Sequence, residues 1–408
     1  MEREFDVILW GATGFTGQLV AEYLFRQYGI DGDLSWAIAG RNRDKLAQVA
    51  EQAAGNQADQ IPVIVADTTD SEAIDSMVQR TRVVCTTVGP YALYGTVVVE
   101  ACAKHGTHCC DLTGEVQWMV KTIEQFNSAA EASGAKIVHT CGFDSIPSDM
   151  GVFYLQKQMQ EKFGEAAGEV KYRVADTVGG VSGGTVASMM NMMEEAREDP
   201  SIVDILSDPY SLNPQNMPRG EDVQDQAGAT YDKDFMQWTG PFVMAGINTR
   251  VVRRSNALKD YQYGQDFRYS EAMLMGNGPS GYMKAAMLAG MSGLMMLAAA
   301  FSPTRSLLQR VVPEPGEGPS RDMIENGYFH IELIGKSHSD DGKVLKAKVS
   351  GVGDPGYGAT SKMLAESAVC LAKDDLPGGG GVLTPSVAMG DKLLGRLQTN
   401  GGMTFETA

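Results

Sequence analysis

The chain has 408 residues, 43% of them hydrophobic and 21% charged, the proportions of a folded protein too long for one ordinary core. A formal net charge of −17 disfavours nucleic acid as the main partner, since a phosphate backbone is held by clustered Lys and Arg. Six cysteines without a CxxC spacing and five dispersed histidines argue against a disulfide scaffold and a protein metal site. Charged residues running straight into Phe5 show no signal-peptide pattern, so a cytoplasmic location is expected.

Through the first 140 residues, short apolar runs alternate with helical patterns. Strands are predicted at Asp6–Trp10, Leu34–Ala39, Pro62–Ala66, Arg82–Thr86, His108–Leu112 and Lys136–His139. Helices are predicted at Gln18–Tyr28, at Arg43–Gln52 behind an Asn42 N-cap, and at Ser71–Gln79 behind Asp70. Strand–helix alternation at this spacing reads as an α/β fold with a Rossmann-type, doubly wound parallel sheet.

From Pro147 the texture changes to longer helices, an irregular loop at Asp208–Gly228 and β-like stretches at Glu169–Ala175, Gly327–Gly335 and Val344–Gly351. These suggest a second, mixed α+β domain over 147–355, with Pro313–Pro319 as a connector. Residues 356–408, with a helix around Ser361–Lys373, are expected to return to the first domain (1–146). Ala285–Phe301 is the most apolar stretch and lacks charge. Its 17 residues suit a buried helix or one docking on a membrane surface, a lipid or a partner better than a bilayer span.

Gly11-Ala12-Thr13-Gly14-Phe15-Thr16-Gly17 lies directly between strand one and helix one. Gly11 gives a tight turn, Gly14 lets the backbone approach a pyrophosphate, and Gly17 lets helix and strand pack closely. The context matches a nicotinamide dinucleotide site. At the end of strand two stand Arg41, Asn42 and Arg43, with Lys45 following and no acid at the tip. A guanidinium there pairs with a 2′-phosphate, which points to NADP(H) rather than NAD(H). Asp67, just past strand three, faces either the adenine edge or its own turn.

Ligands of such sheets bind outside the carboxyl ends of the strands. Gly89 and Pro90 are expected to shape the backbone near the nicotinamide ribose, and Tyr91 and Tyr94 are either half-buried packing residues or phenols for proton donation. Asp144 is either a helix cap or turn residue or, with Ser145, a hydrogen-bond partner of substrate or carboxamide, and Ser182-Gly183-Gly184-Thr185 is a glycine-rich helix start that would place Thr185 toward substrate. Cys109 and Cys110 read as small core residues. In the second part, Met189, Met190, Met192, Met193, Met283, Met287, Met291, Met295 and Met296 form either ordinary core or an adaptable apolar surface.

Together these motifs, with GPYxxYG, DLTGE, GFDSIPSD, Gly356-Tyr357-Gly358-Ala359-Thr360, Met363-Leu364-Ala365-Glu366-Ser367 and Gly381-Val382-Leu383-Thr384-Pro385, resemble the saccharopine dehydrogenase-like oxidoreductases. Within that family they look most like the trans-acting enoyl reductase branch. The resemblance reaches both ends of the chain and is densest in the first 150 and last 50 residues. It implies an NADP-type Rossmann domain and reduction of carbon–carbon double bonds in acyl chains held by a partner synthase. It also implies peripheral contact with a membrane, as eukaryotic relatives associate with membranes or lipid droplets. The proton would come from Tyr91 or Tyr94, with a backbone N–H of the 144–145 turn holding the developing negative charge. Two alternatives stand beside this reading. One is saccharopine-type imine chemistry, whose carboxylates would need a clamp such as Arg250, Arg253 and Arg254; the other is a lipid-associated NADP-binding protein without turnover.

Overall fold

The computed structural model describes residues 3–179, 183–300, 318–339 and 342–408, with the side chains of 183–187, 189 and 296–300 outside the description. Six parallel strands, β1 (Phe5–Trp10), β2 (Trp36–Gly40), β3 (Val63–Val65), β4 (Thr81–Thr86), β5 (His108–Cys110) and β6 (Lys136–Val138), lie in the spatial order 3-2-1-4-5-6. In register, Val7 sits between Trp36 on β2 and Val83 on β4.

All six residues of β1 are buried because both faces of the sheet are covered. Val7 and Leu9 point to one core, and Ile8 and Trp10 to the other. On the first side the sheet is covered by the helices Phe15–Tyr28 and Gly358–Lys373; on the second, by Ser71–Gln79 and Thr96–His105. Each large apolar side chain withdrawn from water in these layers contributes about 1.5–3 kcal/mol. Cys109 and Cys110 face opposite cores, and all six cysteines are buried and unpaired.

The second sheet is mixed. It contains β7 (Ala167–Val178), β8 (Thr230–Asp232), β9 (Gln237–Gly240), β10 (Arg268–Gly276), β11 (Tyr328–Ser337), β12 (Val344–Val352) and, after β13 (Gly381–Leu383), β14 (Met403–Thr407). Their order is 14-12-11-7-10-9-8, with β7 and β10 parallel and the other pairs antiparallel. The helix Ile146–Phe163 leaves the first sheet and buries Met150, Leu155 and Met159 in one core with Leu333, Leu345 and Val349, so that core continues across both sheets.

The segment after 356 returns to both sheets. β13 extends the first sheet by pairing in parallel with β6, and β14 extends the second by pairing with β12. The buried Glu366 carboxylate fastens this segment by accepting from Tyr23 at 2.7 Å and Tyr28 at 2.5 Å. Residues 285–300 of the predicted stretch Ala285–Phe301 belong to the helix Gly278–Ala300, which packs on β9 and β10, and Phe301 lies outside the described residues. Ala285 is buried, but Met283, Met287, Met291 and Leu294 are each more than 60% exposed, so the helix is not a core element throughout. Among the described residues no helix is long and apolar enough to cross a membrane.

Candidate active site

The loop between β1 and the first helix has the geometry its glycines suggest. Gly11 adopts φ +89°, and a Cβ there would fall 2.6 Å from Val88 Cγ2. A Cβ on Gly17 would overlap the Gly11 carbonyl oxygen, so only glycine lets the helix sit this close to the strand. Gly14 is exposed and precedes the helix without any side-chain cap, leaving the first-turn N–H groups for an anion. The Gly14 N–H closes the turn on Gly11 O at 3.0 Å, and Gln18 Nε2 holds Thr13 O at 3.1 Å. Ala12 is buried beneath the loop, Thr16 is half-buried, and the Phe15 ring meets Tyr357 edge-on at 4.6 Å.

Past Gly40, Arg41, Arg43 and Lys45 are exposed, and the Asn42 carboxamide caps the helix by accepting the Lys45 N–H at 2.9 Å. Among the described residues no carboxylate pairs with Arg41. Asp67 serves its own turn: Oδ1 accepts from the Thr69 N–H at 2.9 Å and hydroxyl at 2.8 Å. Those two bonds, with a smaller pull from Arg41, hold its carboxyl below the usual range.

Beyond β4 the Gly89–Pro90 peptide is cis and leads into the short helix Tyr91–Tyr94. Glu115 caps this helix, accepting from the N–H groups of Tyr91 (2.9 Å) and Ala92 (2.8 Å). The structure corrects the expectation for Tyr91. Its ring is buried against Trp118, and its hydroxyl donates to Thr86 O at 3.2 Å and accepts from the Leu112 N–H at 3.4 Å. Burial and the Asp111 charge push its phenol well above the usual range, which leaves a packing residue in place of an accessible proton donor. Tyr94 is 42% exposed.

Asp111 and His139 form a buried pair at 2.6 Å behind these loops, with the far nitrogen of His139 on the Thr122 hydroxyl at 3.0 Å. Asp111 also fixes the DLTGE turn through the Thr113 N–H at 3.0 Å. The half-buried Asp144 carboxyl stands over Gly114 and Gly142, beside this pair. Burial, reinforced by the Asp111 charge, pushes it up to about 7. No side chain among the described residues hydrogen-bonds to it.

Ser145 is a second correction. It is fully buried, and its hydroxyl donates to Asn248 Oδ1 at 3.0 Å, away from the loop cluster. Of the two backbone donors of the 144–145 turn, the Ser145 N–H is on Gly142 O (3.3 Å) and the Asp144 N–H meets its own carboxyl, while the neighbouring Phe143 N–H is on Thr360 Oγ1 (2.9 Å). The Thr185 side chain and Ser182 lie outside the described residues. Farther along the helix Gly183–Glu198, Ser188 approaches Gly89, and Met190, Met192 and Met193 are half-buried. Sequence reasoning missed Glu115, Asn248 and Thr360 as supports of the site. Only Glu115 and Thr360 lay in recognisable motifs.

The arginines considered as a carboxylate clamp lie inside a helix, Ala245–Leu258. Arg250 pairs with Asp225 at 2.9 Å, and Arg253 with Asp222 at 2.7 Å. Arg254 donates to the carbonyl oxygens of Leu212 and Val382. All three are at most 3% exposed.

The comparisons with known proteins converge on one family. Residues 7–138 match the saccharopine dehydrogenase NADP-binding domain. A Mycobacterium bovis trans-acting enoyl reductase is 39% identical over 97% of this chain and 96% of its own length. The Mycobacterium ulcerans protein of that name is 37% identical over 100% of this chain and 98% of its own. The chain belongs to the trans-acting enoyl reductase branch of the saccharopine dehydrogenase-like family. Among solved structures, the L-Glu-forming saccharopine dehydrogenase of Saccharomyces cerevisiae shares the fold, with TM-score 0.54, 13% identity and coverage of 99% of this chain and 100% of that one. This family member is an NADP(H)-dependent oxidoreductase. Its bare glycine turn, uncapped helix start and unpaired Arg41 suit the pyrophosphate and the 2′-phosphate.

Proposed function

We propose that the protein reduces an enoyl C=C bond in a lipid or polyketide-type acyl chain presented by a partner synthase. The observation carrying this reading is the placement of Arg250, Arg253 and Arg254, buried and engaged within the second part of the chain. A saccharopine-type substrate brings several carboxylates and needs free cations, whereas an acyl chain needs apolar walls. The half-buried methionines of the helix Gly183–Glu198 supply such a wall, with flexible, polarisable side chains that adapt to chain length.

NADPH, when bound, supplies the hydride. Residues 11–17 would hold its pyrophosphate and Arg41 with Lys45 its 2′-phosphate, while Gly89 and Pro90 would border the nicotinamide ribose. The α-carbon of the reduced acyl group then needs a proton, and Asp144 provides it. Raised to about 7 by burial, this carboxyl keeps a protonated fraction near neutral pH from which a proton can be transferred. Tyr94 is the second available donor.

The exposed stripe of Met283, Met287, Met291 and Leu294 is the surface we assign to the partner synthase. A Met287→Asp, Leu294→Asp double variant keeps its fold and its turnover of a free enoyl thioester, and loses turnover of a synthase-bound chain. Equal loss on both substrates removes this assignment. The function itself is tested by NADPH oxidation with an enoyl thioester against lysine plus an amino-acid semialdehyde. The proposal requires the thioester to be consumed; turnover of the amino-acid mixture alone overturns it.

A further inference from the structure

Both sequence neighbours of Asp144 are held by side chains from distant parts of the chain. On one side the Phe143 N–H donates to Thr360 Oγ1, whose own proton is on Pro355 O at 2.7 Å. On the other, the Ser145 hydroxyl donates to Asn248 Oδ1 at 3.0 Å. The Asn248 amide nitrogen in turn donates to Glu271 Oε2 at 2.9 Å, and the Tyr269 hydroxyl donates to Glu271 Oε1 at 2.6 Å. Ser145, Asn248, Glu271 and Tyr269 are each at most 2% exposed.

Every donor in this chain points toward the Glu271 carboxylate, which fixes the carboxamide with its oxygen toward Ser145 and its nitrogen toward Glu271. Buried polar groups of this kind give little stability over hydrophobic residues of the same volume. Their gain is a single geometry. The network starts on β10, passes through the helix Ala245–Leu258 and ends one residue from a carboxyl that no side chain among the described residues engages. A reacting group held only by its own backbone, on a turn pinned at both sides, is the arrangement expected where placement governs a rate.

We propose that Asn248 is a positioning residue for Asp144, holding the 143–145 turn so that the carboxyl stays directed at the substrate. The proposal rests on Asp144 being the proton donor.

The test uses the full chain with NADPH and the octenoyl thioester of N-acetylcysteamine, measuring kcat, KM and NADPH affinity. Asn248→Ala lowers kcat roughly 10- to 100-fold while KM and NADPH affinity stay at wild-type values, the pattern of a misplaced reacting group. Ser145→Ala, a smaller change at the same contact, lowers kcat in the same direction and serves if the first variant folds poorly. In an Asp144→Asn background, Asn248→Ala gives no further loss beyond about twofold, because the two act through one group. An equal loss in both backgrounds shows a merely structural role and overturns the proposal. So does wild-type kcat in both Asn248→Ala and Ser145→Ala while Asp144→Asn is impaired. Wild-type kcat in Asp144→Asn instead removes the proton-donor assignment on which the proposal rests.

Discussion

The Phe143 N–H donates to Thr360 Oγ1 at 2.9 Å, so a helix from the last fifty residues holds the loop that follows β6. A Cβ on Gly142 would come within 3.0 Å of Thr360 Cγ2, which shows how closely the two segments fit. The C-terminal return is therefore part of the site's support as well as a cover for the sheet.

Thr360→Val keeps the side-chain shape and removes the acceptor. The Phe143 N–H is then left unsatisfied at a nearly closed site, at a cost of about 1–3 kcal/mol. A lower urea midpoint with an unchanged m-value is expected, together with reduced kcat and unaltered NADPH affinity. An unchanged midpoint would show that the N–H finds another partner.

Among the described residues no carboxylate forms an ion pair with Arg41 at the tip of β2, so its loss falls mainly on the cofactor. Arg41→Ala weakens NADPH binding by about 1–3 kcal/mol, the range for a charge-assisted hydrogen bond, and leaves NADH binding as it was. Titration of both cofactors checks this; equal weakening of the two contradicts a 2′-phosphate contact.

Arg253 separates the two chemistries by stability instead of by kinetics. Arg253→Met leaves Asp222 buried without its guanidinium, and breaking such a pair costs about 3–5 kcal/mol. A large drop in thermal midpoint is expected. A variant of normal stability with a selectively raised KM would instead mark Arg253 as a substrate clamp.

Titration gives an independent check. Asp144 is raised to about 7, and as the acid it must be protonated, so kcat falls as pH rises above about 7. Burial raises Glu271 to about 7 as well, so the folded state binds its proton more tightly than the unfolded chain. Its contribution to stability is full below the ordinary glutamate range and is lost as pH rises toward 7. Urea midpoints of the wild type should decline across that window, and those of Glu271→Gln should decline less. Parallel curves for the two proteins would rule out Glu271 as a contributor.

What could be read from the amino acids divides by the range of the interaction. The phosphate loop was legible because Gly11, Gly14 and Gly17 solve a local problem between one strand and the next helix. The exposed basic tip of β2 at Arg41 was legible because the strand ends there. β13 was not, since three residues after a glycine run become a strand only when β6 is beside them. A sequence places the Tyr91 phenol near a site without saying which way it points; here Thr86 and Leu112 hold it inward. Asn248 carried no signal at all, lying 103 residues from Ser145 on a helix with no motif.

The most direct test of enoyl reduction follows two hydrogens into the product. The protein is given an enoyl thioester with NADPH deuterated at the transferring position in ordinary water, and then with unlabelled NADPH in deuterium oxide. The account predicts one deuterium at the β-carbon in the first case and one at the α-carbon in the second, the latter slowed in Asp144→Asn. Recovery of unreduced thioester, with deuterium instead entering the carbon that bears nitrogen when lysine and a semialdehyde are supplied, would contradict it.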